Sequence, residues 1–386
     1  MNNNKTTTEE LFFQLLQVTV GNRDRLTITP TSQMWEEIYG ICKKQTLLGV
    51  VFKGVERLPR EQLPPFPMVR RWYVNADRIR TRNEEVNRGC ARLCALLKER
   101  GMQSCVIKGQ SNIKNYPVLQ PNEEGKVMGL GEFRVPGDID VWAWTESGKV
   151  SDVIEDVLKL NPRAKATYHH IDCNYGVGRE VEVHYRPSWM SAPWRNRVLQ
   201  DFCRCHRGEK EIVAVMMPDG KEATFNVPSI AFDAVYQMVH IYRHLFSEGI
   251  GLRQIMDYYM VVCRATPEIR REAYGQFCRL GMRRFAAAMM WVMGEVFDDS
   301  EGIKEWMLCE PSERDGRFLL VEIMLAGNFG HADERYTIKR EDSAWRWGLM
   351  KLRRNMKFLT YYPEEVICEP FFRVVHWIWR TFRLWK

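Results

Sequence analysis

No Cys-x-x-Cys pair occurs among the eleven cysteines, which are scattered along the chain. That spacing excludes the common structural zinc sites. In a reducing compartment such cysteines serve as small buried hydrophobes. No apolar run approaches the ~20 residues that a membrane-spanning helix needs. The longest, residues 285–294, is closed by Arg284 and Glu295. The first ten residues lack the apolar segment and cleavage site of a secretory signal, so a cytoplasmic protein is expected. There is no internal repeat and no low-complexity tract. Neither sign of charge dominates: 56 Lys and Arg oppose 49 Asp and Glu, a net +7 that permits a polyanionic partner without demanding one. Hydrophobic residues at 45% and charged residues at 27% exclude a disordered or fibrous chain.

What is there is a 386-residue globular chain, long enough for two or three domains or for one domain with large helical additions. Apolar spacing predicts helices over much of 9–57, one of them capped by Thr31 or Ser32. A proline-rich break at 58–67 precedes a long helix over 68–100. Short strands are expected at 104–107, 139–142, 166–173 and 179–185, with a helix over 146–160. Asp219-Gly220 between two alternating runs, 212–217 and 222–227, reads as a hairpin. From Ser229 onward the pattern is helical. The expected class is α+β with a mixed sheet, divided into a helical region 1–80, an α/β domain 81–228 ending in the hairpin, and a helical domain 229–386.

The densest chemistry lies in Gly137-Asp138-Ile139-Asp140-Val141-Trp142. On a strand, alternate side chains share a face, so Asp138 and Asp140 project together. Two adjacent carboxylates repel unless a cation lies between them, and Mg²⁺ is the usual one. In Glu180-Val181-Glu182-Val183-His184 the acids and the histidine again share a face. Glu182, in mid-strand between two valines, is the favoured third carboxylate, and three carboxylates can hold two metals. Upstream, Lys108-Gly109-Gln110-Ser111 ends a strand and opens a helix. Backbone N–H groups, a hydroxyl and the Lys108 ammonium there suit phosphate. Taken singly, each feature also fits an ordinary turn or an exposed strand face.

Taken together, this order resembles the nucleotidyltransferase superfamily of DNA polymerase beta, and more closely the bacterial uncharacterised nucleotidyltransferases. The matching residues are Lys108-Gly109, Tyr116-Pro117, Arg134, Gly137-Asp138-Ile139-Asp140 and Glu182-Val183-His184. His240, His244, Gly251-Leu252-Arg253 and Asp257 follow downstream. The resemblance implies a polymerase-beta-like core. It implies transfer of a nucleoside monophosphate from a nucleoside triphosphate, ATP among them, to an acceptor hydroxyl, with pyrophosphate leaving. Asp138, Asp140 and Glu182 would be the catalytic metal ligands for Mg²⁺, two ions being expected and Mn²⁺ an option. Lys108, Gly109 and Ser111 would hold the phosphates, joined by Arg134 unless that arginine pairs with Glu132. The turn departs from the superfamily's Gly-Ser, and the stretch 117–136, with Glu123 and Glu124, is longer than expected. The acceptor, whether small molecule, protein or RNA, has no signature here. A transferase acting on a tRNA end and a silent fold serving as a binding module are the alternatives.

Three further features carry expectations. His240 and His244, at i, i+4, are expected chiefly to pack against the catalytic domain, the other reading, implied by the resemblance, being that they face the active-site cleft toward a base or acceptor. His169 and His170, with Cys173, read as ordinary sheet, and Cys203-Arg204-Cys205-His206 has the wrong spacing for a zinc finger. The tail, 371–386, is basic and aromatic. Docking through Phe372, Val375, Trp379 and Phe382 is expected, with peripheral membrane contact or nucleic acid as other readings. Lys351, Arg353, Arg354 and Lys357 add positive charge nearby.

Overall fold

Alternation along two short strands sets the direction in which the small sheet presents its carboxylates. The computed structural model describes residues 7–119, 128–298, 304–327, 350, 353 and 355–384. Its sheet contains β1 (Gln103–Val106), β2 (Ile139–Trp144), β3 (His170–Cys173) and β4 (Val181–His184). The spatial order is β1-β2-β4-β3. β2 runs parallel to β4, and the two outer pairs are antiparallel.

Ile139, Val141, Ala143, Val181 and Val183 face the rear of the sheet. There they pack with Val86, Cys90 and Leu93 of α4 (Phe66–Glu99) and with Val153, Ile154 and Val157 of α5 (Val150–Leu160). The side chains of opposite parity face forward. Trp142 stacks on Phe232 of α7 (Ile230–Ser247), with ring centroids 5.2 Å apart. Asp140, Glu182 and His184 share that forward face, because they have the same parity as Trp142 and its neighbour in register.

The front core is the larger one and is helical. It joins α1 (Thr8–Val20), α2 (Ser32–Lys44), α3 (Leu48–Val55) and the first half of α4 to α7, α8 (Leu252–Arg264), α9 (Pro267–Arg279), α10 (Arg283–Phe297) and α11 (Glu313–Ala326). Local signals set several of the ends. Thr7 and Glu10 form a reciprocal capping box on α1. Thr31 caps α2, and Ser229 caps α7 where the hairpin ends. The hairpin pairs β5 (Lys210–Met216) with β6 (Glu222–Pro228). Residue 80 lies inside the continuous α4. Among the described residues no helix is long and apolar enough to cross a membrane. All eleven cysteines are free.

Some elements differ from expectation. After β1 the chain forms a seven-residue 3₁₀ helix, Gly109–Asn115, in place of an α-helix. The segment expected as a strand over 166–173 pairs regularly only from His170, because the Tyr168 amide donates instead to His376 Nε2 at 3.0 Å. That histidine belongs to the tail helix, α12 (Pro363–Thr381), preceded by α6 (Pro193–Cys205) earlier in the chain. α12 docks through Phe372, which stacks on Trp189 at 4.0 Å, through His376, and through the buried Trp379. Val375 and Phe382, expected on the docked side, are exposed. The contact follows the i, i+4, i+7 row set by Phe372, leaving both outside it. Lys351 and Arg354, like Glu123 and Glu124, lie outside the described residues.

Candidate functional site

The forward face of the sheet meets α7 and α8 across a cavity of about 520 Å³. β2 and β4 supply its floor. Asp140 and Glu182 are register partners on adjacent parallel strands, so their side chains lie side by side. His184 Nε2 sits between them, 3.0 Å from Asp140 Oδ1 and 3.1 Å from Glu182 Oε2. Lys108 Nζ lies 2.7 Å from the same Asp140 oxygen. Asp138, at the mouth of β2, is exposed and also lines the cavity.

The electrostatics follow from this crowding. Partial burial, then the Asp140 and Glu182 charges, raise the pKa of Asp138 above the usual carboxylate value. Burial also opposes ionisation of Glu182. The His184 hydrogen bond and the Lys108, His184 and His170 charges outweigh it and hold Glu182 far below the ordinary range. Asp140, Glu182 and His184 bring their ligand atoms close enough together for one ion, with the Lys108 ammonium already drawn onto Asp140, while Asp138 falls outside that cluster. Such a set fits a hard divalent cation, which would relieve the repulsion that raises Asp138.

Lys108 and Gly109 line the cavity, both with positive φ (49° and 52°). A left-handed lysine beside a charged cluster is strain of the kind found at functional sites. Ser111 behaves otherwise. It is fully buried, and its hydroxyl is off the cavity wall. With three residues per turn, Gly109 and Asn112 share a side of the 3₁₀ helix, so Asn112 occupies the wall in its place. Arg134 also reaches the cavity, but its partner is not Glu132, whose carboxylate accepts from the Gly129 amide. Arg134 grips Asp257 of α8 with two bonds, 2.7 and 2.6 Å, and Tyr116 donates to the same carboxylate at 2.8 Å.

The roof carries one group that the linear sequence did not single out, Arg243, among several that it did. His240 and His244 line the cavity, so they face the cleft. Burial pushes His240 well down and His244 to about 4, so both are neutral near pH 7. His170 opens β3 as expected of sheet, His169 stands just before it, and both rings also line the cavity. His170 Nδ1 and His169 Nε2 are 2.8 Å apart, and Arg243 of α7 reaches His169 Nε2 at 3.0 Å. Burial, then the Arg243 charge, drive the His169 pKa well below its normal value. The paired histidines were visible in the sequence, but their facing on Arg243 depends on how α7 crosses the sheet. Arg253, also on the wall, donates to the Val135 carbonyl at 2.9 Å. Among the described residues, the metal-competent clusters are His169, His170 and His184; Asp140, Glu182 and His184; and His170, Asp172 and Glu182. None includes Cys203, Cys205 or His206.

The model of one protein family, described as an uncharacterised nucleotidyltransferase, matches residues 31–298, more than two thirds of the chain and every wall of the cavity. The chain belongs to that family. This nucleotidyltransferase matches no curated protein. Among solved structures it is similar to an antigenic nucleotidyltransferase-like protein from Paracoccidioides brasiliensis. That match has 10% identity, covers 56% of this chain and 94% of the other, and has a TM-score of 0.33.

Proposed function

We propose that this nucleotidyltransferase moves a nucleoside monophosphate from a nucleoside triphosphate to an acceptor hydroxyl, with Asp138, Asp140 and Glu182 as its metal ligands. The supporting observation is the register of Asp140 against Glu182 on parallel strands, with Asp138 two residues before Asp140 at the open end of the same face. Bound Mg²⁺, or Mn²⁺, would acidify the hydroxyl and neutralise charge building on the phosphates. The hydroxyl oxygen bonds to the α-phosphorus, the bond to the β-phosphate oxygen breaks, and pyrophosphate leaves with that electron pair. The hydroxyl proton is released to solvent. Lys108, Gly109 and Asn112 lie where they can receive the triphosphate tail. Ser111 acts only beneath them, and Arg134 holds Asp257 and so fixes the roof. The neutral His240 and His244 offer hydrogen bonds to a base or an acceptor.

The test is thermal stability with each nucleoside triphosphate, with and without Mg²⁺, for the wild type and for Asp138→Asn/Asp140→Asn. A ligand that binds only the folded state raises the melting temperature. A Mg²⁺-dependent rise with one triphosphate, absent from the double variant, identifies the donor. No rise with any triphosphate defeats the reading and favours a silent fold. A Mg²⁺-dependent rise accompanied by strongly salt-sensitive binding of RNA would direct the acceptor assignment toward a tRNA end.

A further inference from the structure

The outer side of α12 presents a continuous apolar row. Ile367, Phe371, Val374, Ile378 and Phe382 recur at spacings of three and four, the period that keeps them on one side of a helix. All five stand in solvent; Phe371 is 70% exposed and Phe382 66%. Among the described residues nothing covers them. Trp377, also exposed, flanks the row. The inner side is already used by Phe372, His376 and Trp379, so the helix is held in place and the row is not awaiting that contact.

A second feature adjoins the end of this row. Arg380 and Arg383 share a surface groove with Lys159 and Lys165, which come from α5 and the turn after it. One acid, Glu155, lines the groove against these four cations. All four cations are exposed, and Leu160 beside them is 45% exposed. The acids of α12 lie at its other end: Glu364 binds Arg195, and Glu369 binds Arg373. The helix is therefore polarised, with its cationic end beside a cationic groove and its apolar row running away from it.

We infer that the α12 row and the Lys159–Lys165–Arg380–Arg383 groove together form a docking surface for an anionic lipid bilayer. An in-plane amphipathic helix binds by burying apolar and aromatic side chains at the acyl boundary while flanking cations meet anionic headgroups. The row and Trp377 supply the first part. The groove supplies the second, from residues distant in sequence that the fold brings together beside the last turn of α12. A polyanion such as RNA satisfies the cations but gives the five apolar side chains no partner. The inference is independent of the proposed nucleotidyl transfer.

The experiment is co-sedimentation of the full chain with phosphatidylcholine vesicles, with and without phosphatidylserine, scored by bound protein and not by activity. Binding to the phosphatidylserine vesicles is expected, with little to phosphatidylcholine alone. Phe371→Ser/Ile378→Ser removes only exposed side chains and should abolish it while leaving the circular dichroism spectrum unchanged. Lys159→Gln and Arg380→Gln should each weaken it about fivefold. Failure to bind either vesicle overturns the inference, as does binding that both sets of variants leave intact. If the serine variant instead converts a dimer to a monomer in analytical ultracentrifugation, with no vesicle binding by the wild type, the row is an interface between copies and the inference falls.

Discussion

Asp140 has three neighbours that matter: a lysine, a histidine and, across one register step, a glutamate. Replacing it by asparagine keeps the shape and removes one charge from the cluster. Turnover should fall by about 10²–10³-fold or more, the usual cost of losing one preorganised electrostatic contact at a transition state. Steady-state kinetics on the donor found by the thermal assay checks this. Asp233 provides a different test. It is fully buried on α7, and burial raises its carboxyl to about 7, against the pull of Lys114. A raised carboxyl favours the folded state while protonated, so this contribution is lost as pH climbs from the ordinary aspartate value of about 4 through 7. Asp233→Asn should melt higher than the wild type above pH 7, and the gap should close toward pH 4. A gap that does not vary with pH would show that Asp233 does not titrate in that window. His244 has the opposite slope. Depressed to about 4, it contributes stability above its unfolded value near 6.5 that is lost as pH falls toward 4.

At the scale of elements, the decisive contact is the loop before β2 held to α8. The Arg134–Asp257 pair is almost fully buried and joins the segment leading into Asp138 to the roof of the cavity. Removing one member strands the other. Asp257→Ala should cost about 3–5 kcal/mol of unfolding free energy, read from urea midpoints. Gly54 in α3 marks a second close approach, since a Cβ there would lie 2.2 Å from Thr19 Oγ1 of α1. Gly54→Ala should destabilise by about 1–3 kcal/mol through overpacking, measured the same way. The elements also show where sequence reasoning reaches its limit. The two-residue period paired Asp138 with Asp140 on one strand and Glu182 with His184 on another, but that the two strands are neighbours in register is a matter of the fold. The turn after β1 was legible as a turn, but its 3₁₀ winding was not, and that winding exchanged Ser111 for Asn112. His169, His170, His240 and Arg243 meet only because α7 crosses the sheet as it does, a geometry fixed by packing around Trp142 and Phe232 rather than by local spacing. The docked side of α12 was misjudged for the same reason: a tail that is apolar on both sides has two candidate stripes.

At the scale of the molecule, the front core draws on α1, α2 and α3 as well as α7 to α11, so the two ends of the chain share one apolar interior. Deleting residues 1–64 should therefore unfold the helical roof rather than leave a trimmed enzyme. Loss of near-ultraviolet circular dichroism and of the cooperative melt would report it. The long helix α4 belongs to both interiors. Its first half, with Met68, Trp72 and Ala76, lies in the front core, and its second half, with Val86, Cys90 and Leu93, backs the sheet. Its 34 residues extend about 51 Å without a break. A spar of that length, clamped at both ends, makes the floor and roof of the cavity parts of one frame. Floor and roof cannot swing apart like jaws without bending the spar. Traffic into and out of the cavity must then be governed by small parts at its rim, Lys108 and the side chains of α7 among them, and mutations that stiffen the frame should leave the rate of product escape almost untouched.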